Sequence, residues 1–316
     1  MSYAQFGLIQ ASDFNTLAGG NPTTTSGTIN AVWATGGTNA GYGQTAVANV
    51  SAGGTVTASD WANIVNNTAN SASHQGTSIT SVTAPSSGGT VTYLSAVPTN
   101  LTTIYTSRLN AASQGSTSAN AVSTVATWSD KAVWTHTVTF ANGDAARYFF
   151  NSGGQLKVTC SHPSGTGINL LLNNLASNVG TVVMSSPTSG SVTIASTSYN
   201  GITKVGGGGN APTVSTNTGY YALTTGNASV FTQTASTGPS GYLSTNINVT
   251  VKSNGTQGSN GDAGSVITIY TVWDEIPNGL VVASGSTTTV TAQAPETTYL
   301  GNSWGSITVA GSVAVV

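Results

Sequence analysis

The chain has 316 residues, of which only 4% are charged, and its formal net charge is −2. An ordinary soluble domain is about 25% charged, so the polar surface must consist mainly of hydroxyl and amide groups. The six Lys and Arg residues form no basic cluster, which argues against nucleic-acid binding and against a polybasic membrane patch. We therefore expect no nucleic-acid partner and no membrane insertion.

The opening segment MSYAQFGLIQASDF lacks the basic region and the long apolar stretch of a secretory signal. No apolar run approaches the roughly 18 residues of a membrane span. Cys160 is the only cysteine, which excludes an intrachain disulfide. These features predict a protein that is made and assembled in a cytoplasm.

Residues 1–83 are predicted to form a small N-terminal α+β domain. The segment ASDFNTLAGG returns further along as ASDWANIVNN. Each copy can begin a short helix with its serine or aspartate, Asp13 or Asp60, as the N-cap. Trp61 and Ile64 then share one helical face, as the equivalent residues do in the first copy. The glycine-rich stretch between the copies lacks the lysine of a phosphate-binding loop.

Residues 84–128 are predicted to be a linker and a connector helix. Prolines and a Ser-Ser-Gly-Gly run open the segment, and Leu101, Ile104 and Tyr105 follow at helical spacing. The low-complexity run SQGSTSANAVSTVATW then leads into the next region. It is predicted either to pack on a neighbouring protein or to be flexible.

Residues 129–316 are predicted to form an antiparallel β domain. Its nucleus is WTHTVTFANGDAARYFFNSGGQLKVTC, where Trp134, His136, Val138 and Phe140 alternate with threonines as in a half-buried strand. The aromatic residues predicted to form the structural core, here and elsewhere in the chain, are Trp61, Trp134, Phe140, Phe149, Phe150 and Trp273.

A short helical turn is predicted in the middle of this nucleus. Asp144 is placed to cap it, and Gly153 and Gly154 end it because glycine readily adopts the left-handed conformation. Alternation then resumes in QLKVTC, with Leu, Val and Cys160 predicted to point inward and the other side chains outward.

The remaining pattern predicts further antiparallel strands. Asn200-Gly201 offers a hairpin turn. Leu243, Ile247 and alternate residues after them share one face, and SVITIYTVWDE forms the return strand. The tail, with Thr287 to Thr291 and Trp304 to Val316, is predicted to add edge strands or to pair with a neighbouring subunit. The fold class is therefore mainly β, with a β-sandwich or jelly-roll-like C-terminal domain.

The residues with catalytic or ligand chemistry form no recognisable site. Asp274 and Glu275 are adjacent on a strand and point to opposite faces, so they make a poor catalytic pair. The three histidines lack metal-ligand spacing, and His136 is expected to be a satisfied core residue. Asn254, Asn260 and Asp262 could contact calcium, but one carboxylate is too few. We predict no enzyme activity, no cofactor and no metal site.

The motifs ASDFN and ASDWAN with GYGQ between them, followed by DAARYFFNSGG, resemble those of virion structural proteins of tailed bacteriophages. The similarity is strongest to tail-fibre or tail structural proteins from phages of aquatic bacteria. It covers residues 11–76 and 134–160 and leaves the distal β region out.

The resemblance implies a non-enzymatic, multi-copy virion component that is assembled in the host cytoplasm. Its partners would be other copies of itself, neighbouring virion proteins and, for host attachment, a surface glycan or receptor. Alternatives are a capsid decoration or head-associated protein and a carbohydrate-binding adhesin module. A polysaccharide depolymerase is the weakest alternative, since the chain lacks both clustered carboxylates and a repetitive β-helix pattern.

The low charge also predicts self-association. Monomeric β proteins protect their strand edges with lysine and proline, and this chain has few of either. We therefore expect an obligate homo-oligomer. The family resemblance implies a trimer.

Overall fold

The computed structural model describes residues 10–37, 41–89 and 95–316. Parts of the predicted N-terminal domain and of the predicted linker lie outside the described residues. The described residues up to Thr106, which we name the N-terminal module, contain three α-helices, and two more α-helices lie within the strand region. The α-helices of the described chain are α1 Ala11–Ala18, α2 Ala58–Gln75, α3 Ala96–Thr106, α4 Gly143–Asn151 and α5 Ile168–Val179.

The strands belong to two large antiparallel sheets and one small hairpin, as the sequence pattern predicts. The strands are β1 Gln114–Thr124, β2 Lys131–Thr139, β3 Gln155–Ser161, β4 Thr181–Met184, β5 Val192–Ile194, β6 Thr197–Tyr199, β7 Ile202–Val205, β8 Thr213–Val214, β9 Ala228–Thr234, β10 Asn246–Ser253, β11 Val266–Asp274, β12 Thr287–Pro295 and β13 Thr308–Val315. The first sheet has the order β1-β12-β3-β4-β7 and the second β13-β2-β11-β10-β9-β8, while β5 pairs with β6.

The two ends of the β region are wound together. Strands β1, β2 and β3 alternate between the two sheets, and β11, β12 and β13 alternate in the same way alongside them. This double winding is jelly-roll-like. Strand β12 therefore lies between β1 and β3 inside the first sheet, so the prediction that it forms an edge is wrong. Strand β13 does lie at an edge.

One apolar core lies between the two sheets. All of the aromatic residues predicted to form the core are buried, and all but Trp61 belong to this cluster. Trp134 and Trp273 face each other with ring centroids 5.3 Å apart, and Phe150 stacks on Tyr220 at 4.4 Å. Helix α5 contributes Leu171, Leu172 and Leu175 to the same core and packs against both sheets. Trp61 lies instead in the core of the N-terminal module, edge-on to Phe14 at 5.9 Å.

The predicted helix caps are displaced by one turn. Helices α1 and α2 begin earlier than expected, at the alanine of each ASD motif, with Gln10 and Thr57 as N-caps. Asp13 and Asp60 are therefore not N-caps. Each lies at the third helical position, where its carboxylate accepts the N-cap amide hydrogen bond, at 3.2 Å and 2.8 Å respectively.

The N-cap of α4 also precedes the predicted one, by two residues. Asn142 is its N-cap, because its Oδ1 accepts a hydrogen bond of 2.8 Å from the amide of Ala145. Asp144, predicted to be the cap, lies inside the first turn. Its Oδ1 accepts hydrogen bonds from Arg147 at 3.3 Å and from the Gly261 amide at 3.1 Å.

The end of α4 requires both of its glycines. Gly153 has a φ of 89°, which favours glycine. A Cβ at Gly154 would lie 2.7 Å from ring atoms of Phe149. The chain can therefore turn directly from α4 into β3 while keeping Phe149 in the core.

Side-chain amides take the place of missing strand partners in the N-terminal module. Asn30 bonds both backbone groups of Val47, donating to its oxygen at 2.8 Å and accepting from its nitrogen at 2.9 Å. Asn15 pairs with Val50 in the same way. A third pair joins Asn100 to the backbone of Thr80. These amide pairs satisfy extended backbone without a β-ladder or a charge.

The structure corrects the prediction for the described part of residues 84–128. Helix α3 packs into the N-terminal core through Leu101 and Ile104. The low-complexity run contains β1, which pairs with β12 along its length. It is therefore neither a flexible segment nor a separate connector.

Three further local predictions are wrong. Asn200-Gly201 does not close a hairpin, because β6 pairs with β5 and β7 pairs with β4. The hairpin turn is at Ala195 and Ser196, which have φ values of 48° and 63°. Gln155, predicted to point outward, is fully buried, and Leu243 is exposed.

Candidate functional site

The adjacent acidic residues Asp274 and Glu275 have structural partners. Asp274 forms an ion pair of 3.5 Å with Lys131 across neighbouring strands. The buried carboxylate of Glu275 accepts hydrogen bonds from the amides of Asp130 at 3.3 Å and Leu280 at 3.0 Å. Burial raises the pKa of Glu275 despite these bonds. The two carboxylates therefore have separate structural partners and do not form a catalytic pair.

Helix α4 joins the N-terminal module to the sandwich through two polar side chains. Arg147 is fully buried and donates to the backbone oxygens of Thr35 at 2.9 Å and Gly37 at 3.4 Å. Asn151 on the same helix donates to the Gly41 oxygen at 2.9 Å. The guanidinium also faces Asp144, so this buried charge is paired.

The same loop of the N-terminal module contacts the segment before β13. The Gln44 side chain bonds both the amide and the carbonyl of Gly301, at 2.9 Å and 2.8 Å. The Ser303 hydroxyl donates to the Tyr42 oxygen. The loop is thus held between α4 and the start of β13, and the module is fixed to one end of the sandwich.

None of the three histidines belongs to a group of possible metal ligands within the described residues. Burial lowers the pKa of His74 and of His136 to about 4. Within the described chain the ring nitrogens of both residues have no hydrogen-bond partner, so His136 is buried as predicted but not satisfied. His162 is different, because its ring bonds Ser286 at 2.9 Å and Asn169 at 3.1 Å. Burial lowers its pKa as well.

Cys160 is half-buried against the core. Burial raises the pKa of its thiol to about 12. At neutral pH the thiol is therefore protonated and a poor nucleophile.

The loop considered for calcium is held together by its own hydrogen bonds. Asn254 accepts from the amides of Ser265 and Val266, both at 2.9 Å, and Asp262 accepts from the Ser259 amide. Over residues 10–37, 41–89 and 95–316, no group of three or more metal-ligating side chains occurs. In the same ranges, no helix is long and apolar enough to cross a membrane.

Two of the cavities on the surface of the described residues could hold a small ligand. A groove of about 240 Å³ with a mixed polar and apolar lining lies between α2, α3 and the extended segment that follows α2. A second cavity of about 340 Å³ lies where β1 begins and β12 ends, and its lining includes Ser116, Ser118, Glu296, Asn302 and Trp304. Trp304 is only 2% exposed, so its ring face is not available for stacking on a sugar.

The most distinctive surface is the side of the sandwich formed by residues 114–124 and 308–315, which we name the open side. These are strands β1 and β13, each the edge of its sheet and each paired on one flank alone. Neither strand contains a charged residue or a proline. The sequence does not predict this surface, because the pattern of the first segment favours a connector over a strand.

The two strands of the open side lie close together. Trp134 Nε1, on the strand next to β13, donates to the Ser123 oxygen of β1 at 2.8 Å. A Cβ at Gly311 would lie 2.5 Å from Ser123 Oγ. Small residues let the sheets approach here. Val122 and Val315 are 60% and 50% exposed on the same two strands.

The opposite edges of the sheets are protected. Strand β7 has four residues and contains Lys204, whose Nζ bonds the Gly208 oxygen and Gln233 Oε1, both at 3.0 Å. Strand β8 has two residues and follows Pro212. Short strands, lysine and proline are the usual means of preventing edge-to-edge pairing, and the open side has none of them.

No protein-family model, curated protein or solved structure matches this chain.

Proposed function

We propose that this protein is a non-enzymatic structural component of a bacteriophage virion, of the tail-fibre or tail-associated type. The observation that carries the proposal is a two-sheet sandwich with long, uncharged strand edges on one side. In a monomer such an edge promotes uncontrolled pairing with other chains, whereas in a fixed assembly a neighbouring subunit can cover it. The motif resemblance of residues 11–76 and 134–160 supplies the virion setting.

In this proposal the N-terminal module docks to the particle and the sandwich projects from it. Support comes from the contacts of Arg147, Asn151 and Gln44, which hold the module to one end of the sandwich. The chain is assembled in the host cytoplasm as an obligate homo-oligomer. The resemblance favours three copies.

Labelling purified particles with antibody against this chain, followed by electron microscopy, tests the proposal. Label on the tail is expected. Label confined to the capsid would replace the fibre role with that of a decoration or head-associated protein. Particles that carry the protein at neither place would overturn the virion role.

A carbohydrate-binding adhesin module is the second candidate. The polar cavity beside Glu296 and Asn302 favours it, because carboxylate and amide groups are the usual partners of sugar hydroxyls. Titration with host-surface polysaccharide tests this candidate. If Glu296→Ala weakens binding tenfold or more, the candidate is supported. Equal binding by the wild type and this variant rules this cavity out.

A further inference from the structure

We propose that copies of this chain contact each other through the open side, by backbone pairing along the outer edges of β1 and β13. The inference deepens the proposed function and rests on it for its biological setting. Its physical basis is independent of the virion role. It names the surface and the partner, which is a second copy of this chain.

The chemistry of the two edges selects an uncharged β-strand as the partner. Strand β1 has 11 residues and β13 has eight. In the described chain each is hydrogen-bonded to one strand alone, so backbone N–H and C=O groups on its outer flank have no strand partner. No charged side chain on either strand opposes a neighbouring strand. A charged partner would gain no ion pair here, whereas another strand would satisfy the backbone groups directly.

The geometry of the two edges selects a copy of the same chain. The approach of Gly311 to Ser123 brings β1 and β13 side by side, so a partner that covers both must present two strand edges at the same separation. A second copy does so by construction. Val122 and Val315, which are largely exposed in one copy, would then be covered as the surfaces meet.

Two closed arrangements use this contact. A two-fold axis would pair each strand with its own counterpart, and a three-fold axis would pair β1 of one copy with β13 of the next. The three-fold form agrees with the trimer that the resemblance implies. Both forms leave the guarded edges β7 and β8 at the periphery.

Lysine substitutions on the open side test the contact. We compare the full-length wild type with the double variant Val122→Lys/Ser312→Lys by size-exclusion chromatography with light scattering. The matched control is Val205→Lys, since Val205 is an exposed valine on the opposite edge of the first sheet. The double variant is expected to dissociate at protein concentrations at least 100-fold higher than the wild type, and the control should behave as wild type. A double variant that stays assembled like the wild type would overturn the proposal.

Hydrogen exchange of the unmodified protein gives a test that does not depend on a variant folding. Amides all along β1 and β13 should be as protected as those of β12 and β2 in the native assembly. Alternate amides of the two strands exchanging as fast as loop amides would contradict the contact. Failure here with antibody label on particles would reject the interface alone, and success here without label would reject the virion role alone.

Discussion

The amide pair of Asn30 offers a sharp test of how a chain with so little charge is stabilised. Asn30 is 1% exposed. Its Nδ2 donates to the oxygens of Val47 at 2.8 Å and Gly19 at 3.2 Å, and its Oδ1 accepts from the Val47 amide. Asn30→Asp keeps the shape and the acceptor but removes the donor. Two carbonyl oxygens would then face a carboxylate in a buried space.

The expected loss follows from these contacts. Two hydrogen bonds are lost, each worth about 0.5–1.5 kcal/mol net, and the buried groups left unsatisfied add about 1–3 kcal/mol. We expect the N-terminal module to be destabilised by about 2–6 kcal/mol at pH 7. Because burial raises the pKa of the introduced carboxyl group in the folded state, the loss should shrink as the pH falls through that raised pKa. Protonation restores one donor.

Urea unfolding followed by tryptophan fluorescence measures the effect. Asn15→Asp is the matched control, because Asn15 makes the same kind of pair with Val50 at a half-exposed position. It should cost about 1 kcal/mol. An Asn30→Asp protein within 1 kcal/mol of the wild type, or equal losses at the two positions, would refute the reasoning.

Three further predictions concern the core and the titratable groups. Phe150→Ala should lower the free energy of unfolding by about 3–5 kcal/mol, whereas Tyr299→Ala at a 41% exposed position should change it by less than about 0.5 kcal/mol; comparable urea midpoints for the two variants would argue against the assigned core. His74 and His136 have pKa values lowered to about 4 from 6.5. As the pH falls, the unfolded chain therefore binds protons at these residues before the folded chain does. The free energy of unfolding should fall between pH 6.5 and 4, by up to about 3 kcal/mol for each histidine. Substituting either by Gln should flatten the measured pH dependence, and an unchanged slope would count against its burial. The Cys160 thiol, with its pKa raised to about 12, should react with iodoacetamide at pH 8 at least about 100-fold more slowly in the native protein than in urea; similar rates would show an accessible thiolate.

Local periodicity was enough to predict much of the sandwich. The alternation around Trp134 and Val138 appears as the buried face of β2, and the return strand pairs with β10 as expected. Burial of every second residue is a local property of a strand that covers a core. The order of the strands is not local, which is why the position of β12 between β1 and β3 was missed.

The candidate surface was missed for a related reason. Strand β1 contains mostly Ser, Ala, Thr and Asn, so its sequence carries little strand preference, and its pairing with β12 decides its conformation. The prediction that Gln155 points outward is wrong for a different reason. Its Oε1 accepts a hydrogen bond from Gln114 at 2.5 Å, and this contact across the sheet allows an amide to be buried at a position where the pattern predicts exposure.

The predicted N-caps differ from the observed ones because the same residue type is favoured at two positions of a helix start. Aspartate is favoured both as the N-cap and at the third helical position, where it bonds back to the N-cap amide. Thr57 and Gln10 precede the aspartates by three residues and complete the capping arrangement. Reading the pattern from the residue before the motif would have placed Asp13 and Asp60 correctly.

The native mass of the full-length wild-type protein is the most direct test of the central claim that this chain is a component of a closed assembly. Sedimentation equilibrium at micromolar concentration measures it. A single species at three times the chain mass of 31.4 kDa is expected. A species at twice the chain mass, a dimer, would still agree with closed contact through the open side. A stable, soluble monomer would contradict the account, because β1 and β13 would then remain unpaired without harm.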